Sequence, residues 1–144
     1  MLSFRMPTRR FLFSLPLGSD IHERVTAFCV ENKVRKGWIS IIGAVDEAKL
    51  GYYDQARHRY HDRVFKEDLE IVSCQGNVSL KEGKPFLHLH AALGDTELRT
   101  WSGHLFPGSR VFAAEVCIQE VGGAPLARLP DASTGLALWK CKPL

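Results

Sequence analysis

The chain has 144 residues, 45% hydrophobic and 24% charged, values that fit one packed domain and exclude a disordered or low-complexity chain. Its formal charge of +3, from 19 Lys and Arg against 16 Asp and Glu, permits an acidic partner without pointing to one. The longest apolar runs, Trp38 to Val45 and Val111 to Ile118, hold about eight residues against the roughly 20 that a membrane-spanning helix needs, so no membrane partner is expected.

In chain order, residues 1–8 read as a flexible leader and residues 9–144 as a single domain. Arg5, Arg9 and Arg10 precede an apolar run that Ser14 and Pro16 interrupt and that lacks a small-residue cleavage site. The expectation is a cytoplasmic protein without a secretion signal. Phe11 to Leu15 predicts a strand, ended by Pro16 and Gly18. Asp20 and Glu23 have capping-box spacing, and Ile21, Val25, Phe28 and Cys29 form one apolar stripe, which predicts a helix ending near Asn32. Trp38 to Val45 and Ala48 to Tyr53 read as two neighbouring strands with little solvent on either face.

Asp54 to Asp68 breaks the apolar pattern and predicts a long polar connection around a short strand. Arg57, Arg59 and Arg63, with Tyr60 and Phe65 among them, are candidate contacts to nucleic-acid phosphates and bases, although such a run is more often a solvated loop. Further strands are predicted at Leu69 to Gln75, Val78 to Leu80, Phe86 to Ala92, Glu97 to Trp101, Val111 to Glu120 and Leu136 to Lys140. The turns between them are read at Gly76-Asn77, Glu82-Gly83, Gly94-Asp95 and Pro107-Gly108. One clear helix with a mostly antiparallel sheet makes an α+β fold. Cys29, Cys74, Cys117 and Cys141 are scattered without a C-x-x-C pair, which fits free thiols in a reducing compartment.

His88-Leu89-His90 lies on a predicted strand, where side chains alternate, so both rings face one side about 7 Å apart and can reach one ion. His104 depends on the hairpin register. A three-residue loop, Gly94-Asp95-Thr96, pairs Leu93 with Glu97 and puts His104 on the same face, diagonal to His88. A two-residue loop puts His104 on the opposite face unless a bulge at Ser102-Gly103 corrects it. Three His ligands without a nearby Cys describe an open zinc site, and iron, manganese or nickel also suit imidazole. His22, on the helix, and His58 and His61, in the polar stretch, read as solvated side chains.

The run Pro85-Phe86-Leu87-His88-Leu89-His90-Ala91-Ala92-Leu93 followed by Gly103-His104-Leu105 resembles the hallmark of the PPC domain (plants and prokaryotes conserved). Leu15-Pro16-x-Gly18-x-Asp20, Ile42-Gly43-Ala44-Val45, Leu50-Gly51-Tyr52-Tyr53 and Leu69 to Asn77 agree, in the family's order, over roughly residues 9–121. Ser102 stands where the family usually has a second Gly. The resemblance implies a homotrimeric α+β domain with an antiparallel sheet, an ion held by His88, His90 and His104, and a DNA-binding label. That label comes from plant members that add AT-hook segments, which this chain lacks. The architecture is also similar to that of acetolactate decarboxylase, another H-x-H zinc protein, by fold analogy alone.

Two functions are therefore expected as alternatives. One is a trimeric metal-binding module with a regulatory or DNA-associated role. The other is a zinc-dependent small-molecule enzyme, hydrolase or decarboxylase-like, in which an open ion position activates water or polarises a carbonyl. The enzyme needs a general acid or base, for which Glu115, interrupting an apolar strand beside small residues, and Glu70 are the candidates. Gly122-Gly123 lacks the features of a phosphate loop, and no nucleotide cofactor is implied.

Overall fold

A computed structural model describes residues 9–139. The expected leader at residues 1–8 lies outside the described residues, as do Lys140 and Cys141. The elements are β1 (Arg10–Leu15), α1 (Ile21–Glu31), β2 (Gly37–Asp54), β3 (Arg59–Phe65), β4 (Leu69–Lys81), β5 (Lys84–Gly94), β6 (Thr100–Leu105), β7 (Arg110–Glu120), β8 (Ala127–Pro130) and β9 (Ala137–Trp139). The fold is α+β: among the described residues one helix lies against a sheet in which only the short β4–β8 pairing is parallel.

The helix begins where expected. Asp20 accepts from the Glu23 amide at 2.8 Å, and its other carboxylate oxygen accepts from the amides of Gly108 and Ser109. One carboxylate thus caps the helix and ties down the β6–β7 connection. Ile21, Val25 and Cys29 are buried, and Phe28 stacks on Phe13 with ring centroids 4.0 Å apart.

β2 organises the rest. It is one strand of 18 residues, not the two neighbours that the sequence suggests. Its first half pairs with β4 and β7, and its second half with β3 and β6. Register shifts at Ile41/Gly43 and Val45/Glu47 mark where the pairing is reset along it. The pairings β2–β4, β4–β5, β5–β6 and β6–β2 form a closed circuit around the core. Ile39, Ile41, Leu89, Leu93 and Leu105 are almost fully buried, each contributing about 1.5–3 kcal/mol of apolar transfer.

Three further expectations change. Gly76-Asn77 is no turn, since β4 runs through it. A Cβ on Gly76 would lie 2.0 Å from the His88 carbonyl oxygen, so the glycine serves the close approach of β4 to β5. The β5–β6 strands are joined by residues 95–99, with Gly94 opposite Thr100, and the predicted strand from Glu97 starts instead at Thr100. The buried carboxylate of Asp95 shapes that loop by accepting from the Glu97 and Arg99 amides, the Arg99 guanidinium and the Trp101 indole. Finally, residues 127–130 form β8, which the sequence reading leaves as loop. Glu82-Gly83 is a tight hairpin turn as expected, with positive φ at both residues.

Candidate metal centre

Along β5, Leu87, Leu89, Ala91 and Leu93 are buried, so the alternate residues His88 and His90 face away from the core. β6 brings the third histidine by pairing His104 directly with His90. The three-residue loop puts Leu93 opposite Glu97, whereas Leu93 lies opposite Trp101, a shift of 101 − 97 = 4 residues. An even shift preserves the face, so His104 joins His88 and His90 without a bulge, opposite His90 instead of diagonal to His88.

One ring nitrogen from each of His88, His90 and His104 lies within 4.8 Å of the others. His88 Nε2 and His90 Nε2 are 3.2 Å apart. Ligands of a tetrahedral zinc ion with bonds of roughly 2.0–2.1 Å stand about 3.3 Å from each other, so this pair already has coordinating separation. His104 Nδ1 is buried with no hydrogen-bond partner, which is costly unless the nitrogen serves another purpose. Burial, and then the neighbouring Arg128 cation, holds His88 down to about 4, and burial followed by the other histidines does the same to His104, to about 4. These imidazoles are neutral near pH 7 and offer lone pairs. The donor set fits a divalent transition-metal ion.

The surroundings come from distant segments. Tyr60 of β3 places its ring 5.2 Å from that of His104. Arg128 of β8 donates from Nε to Ser79 Oγ at 2.9 Å and from Nη2 to Asn77 Oδ1 at 3.0 Å, with Nη2 also 3.3 Å from His88 Nδ1. A groove of ≈ 880 Å³ opens between α1 and the start of β5, with His22, Phe86, His104, Phe106 and Pro107 among its walls; Arg128 lies over the Phe86 ring and Tyr60 packs on Phe106. His22 is not a solvated side chain. Its Nε2 lies 2.7 Å from the Leu105 carbonyl oxygen, and burial lowers its pKa.

Glu115 is exposed on β7 opposite Ile42, nine residues along β2 from Gly51, the partner of His104. Glu70 is exposed opposite Gly94, four residues or about 13 Å along β5 from His90. The fold brings neither to the histidines. Arg57 is exposed beside Asp54, Arg59 is exposed on β3, and Arg63 stacks on Phe65 and Trp101. His61 is exposed near Asp54, as expected, and His58 stacks on Tyr53. Sequence reasoning missed Arg128, which has no motif around it, and read Tyr60 as part of the basic stretch instead of as a neighbour of His104. Among the described residues Cys29, Cys74 and Cys117 are free, and burial pushes the Cys29 and Cys74 thiols up to about 12.

Comparison with known proteins follows the same elements. The Plants and Prokaryotes Conserved (PCC) domain, the family also abbreviated PPC, matches residues 3–122. A metal-containing protein from Archaeoglobus fulgidus is 40% identical, with a TM-score of 0.89 over 97% of this chain and 99% of that one. A plant- and prokaryote-conserved protein from Pyrococcus horikoshii is 34% identical, with a TM-score of 0.91 over 100% of both chains. A candidate DNA-binding protein from Bacteroides thetaiotaomicron is 26% identical, with a TM-score of 0.86 over 96% of each. A bifunctional GlmU protein from a Synechococcus species is 31% identical over 120 residues, 82% of this chain, and the chain spans only 18% of that protein's length. Among the described residues no helix is long and apolar enough to cross a membrane.

Proposed function

The chain belongs to the Plants and Prokaryotes Conserved domain family, and from that premise we propose that it is a homotrimeric metal-binding protein whose three-histidine centre takes a small ligand. The observation that carries this reading is the set of three ring nitrogens within 4.8 Å, supplied by histidines of which one, His104, has a buried nitrogen without a partner. The metal content of the Archaeoglobus relative supports it. Zinc is the first candidate, with other divalent transition metals compatible with imidazole.

His88, His90 and His104 would hold the ion, and three protein ligands leave room for another. When bound, such an ion supplies Lewis acidity to an oxygen ligand. The groove beside His104 gives that ligand a route, and Phe86, Phe106 and Pro107 give it an apolar wall. This groove favours a zinc-dependent small-molecule enzyme as the specific form of the reading. His22, Asp20 and Glu23, which line the groove with His104, and Tyr60, whose ring is 5.2 Å from that of His104, are titratable groups closer to it than Glu70 or Glu115.

Trimer formation has support from apolar side chains left exposed on the strands. Leu12, Trp38 and Ile42 are 82%, 49% and 53% exposed around the β1–β7–β2 surface. Association with DNA through Arg57, Arg59 and Arg63 has less support, because Arg57 and Arg63 already engage Asp54 and the Phe65 and Trp101 rings.

Elemental analysis of the wild type beside His88→Ala and His104→Ala tests the centre. One ion per chain in the wild type and none in either variant is expected. A wild type without metal, or variants that keep it, would overturn the reading. Light scattering on the same samples reads the oligomer, and salt-dependent DNA binding with Arg57, Arg59 and Arg63 replaced by Ala tests the nucleic-acid role.

A further inference from the structure

Arg128 is 8% exposed and makes four hydrogen-bond contacts, to Ser79 Oγ, the Ala137 carbonyl, Asn77 Oδ1 and His88 Nδ1. Every one is neutral. Its guanidinium carbon sits 5.3 Å from the centroids of both Phe86 and Trp139. Among the described residues no carboxylate lies within ion-pair distance of it. Buried charges are normally paired, because taking an ion out of water is costly. Three imidazoles add no negative charge, so a divalent ion held by them beside Arg128 leaves the ligand set cationic, while Asp20 and Glu23 line the adjoining groove.

The contact with His88 sharpens the point. A neutral imidazole has one N–H and one lone pair. If the Nε2 that faces His90 gives its lone pair to an ion, Nδ1 carries the proton and no longer accepts from Arg128. Loading therefore releases one Arg128 N–H beside the centre. Tyr60 offers a second donor, a phenol whose ring lies 5.2 Å from that of His104.

Resting on the function proposed above, we infer that Arg128 and Tyr60 form the recognition pair for an anionic oxygen ligand of the three-histidine centre, a small carboxylic acid whose organic body lies along Phe86 and Phe106. The apolar walls favour a carboxylate with an organic body over inorganic phosphate. The Arg128 N–H freed on loading and the Tyr60 hydroxyl each give one donor to a carboxylate oxygen, a charge-assisted contact in the case of Arg128.

The test uses full-length protein loaded with zinc, its content first fixed by elemental analysis, and titrated calorimetrically with acetate, benzoate, inorganic phosphate and the neutral ligand imidazole. Arg128→Gln is expected to weaken acetate and benzoate about tenfold without weakening imidazole, and Tyr60→Phe to weaken them about threefold. A ratio of acetate to imidazole affinity that Arg128→Gln leaves unchanged, in protein that retains its zinc, overturns the inference and spares the metal reading. Phosphate binding more tightly than benzoate overturns the carboxylate assignment. Wild-type protein that takes up no zinc overturns both readings together. Should Arg128→Gln fail to fold, a wild-type crystal soaked in benzoate decides: a carboxylate oxygen on Arg128 or Tyr60 supports the pair, and a carboxylate touching neither sinks it.

Discussion

Arg128 Nη2 stands 3.3 Å from Nδ1 of His88, whose Nε2 is in turn 3.2 Å from Nε2 of His90. Arg128 has only donors, so His88 Nδ1 accepts and its Nε2 carries the proton toward His90. Metal-bound histidines usually donate their second nitrogen to a carboxylate or carbonyl, and this one faces a cation instead. Arg128 thus opposes loading through both charge and tautomer. In buffer without coordinating anions, Arg128→Gln should tighten zinc binding about tenfold, measured by competition with a chromophoric chelator. A weaker affinity in a folded variant would contradict this relationship.

Acid should destabilise the metal-free protein. Above the ordinary histidine value of 6.5 the imidazoles are neutral in both the folded and unfolded chains. Between 6.5 and about 4 the unfolded chain binds protons that the folded His88 and His104 refuse, so stability falls as pH falls through that window. His22, lowered by burial, adds in the same direction. Thermal melts from pH 7.5 to 4.5 should show little change down to about 6.5 and then a fall in wild type, with a shallower fall in a His88→Phe, His104→Phe variant.

Asp20 serves two elements through one carboxylate. Replacing it with Ala removes the helix cap and leaves the Gly108 and Ser109 amides without their acceptor. The expected cost is about 2–3 kcal/mol in chemical denaturation. Asp20→Asn, which keeps one acceptor oxygen, should recover part of it. The β6–β7 connection also edges the groove, so Asp20→Ala should make it more open to proteolysis at Pro107-Gly108.

Gly76→Ala tests the close approach of β4 to β5. The added methyl meets the His88 carbonyl oxygen, so the strands must separate where the histidines are carried. We expect a loss of about 3 kcal/mol together with weaker metal binding. Gly83→Ala is the control, since nothing lies within 4 Å of its Cβ, and its effect should be confined to the strain of a positive φ.

Residues close in sequence made their part of the centre legible. His88 and His90 share a face because strand side chains alternate, a local property, and Asp20 with Glu23 marks the helix start through a contact spanning one turn. The parity of the β5–β6 hairpin is not fixed by the sequence, which is compatible with two loop lengths. The loop that forms is held by the buried Asp95 and a positive φ at Leu98, neither of which local propensity announces. Tertiary structure alone decided that β2 is one strand joined to β3, β4, β6 and β7, and that Gly76 serves strand approach instead of a turn. It also decided that Arg128, 40 residues beyond His88, meets the histidines. Alternation and capping act over a few residues and so are written in the order of the chain. Pairing between distant strands is settled by which apolar faces bury one another, and the neighbours of the metal centre follow from that burial.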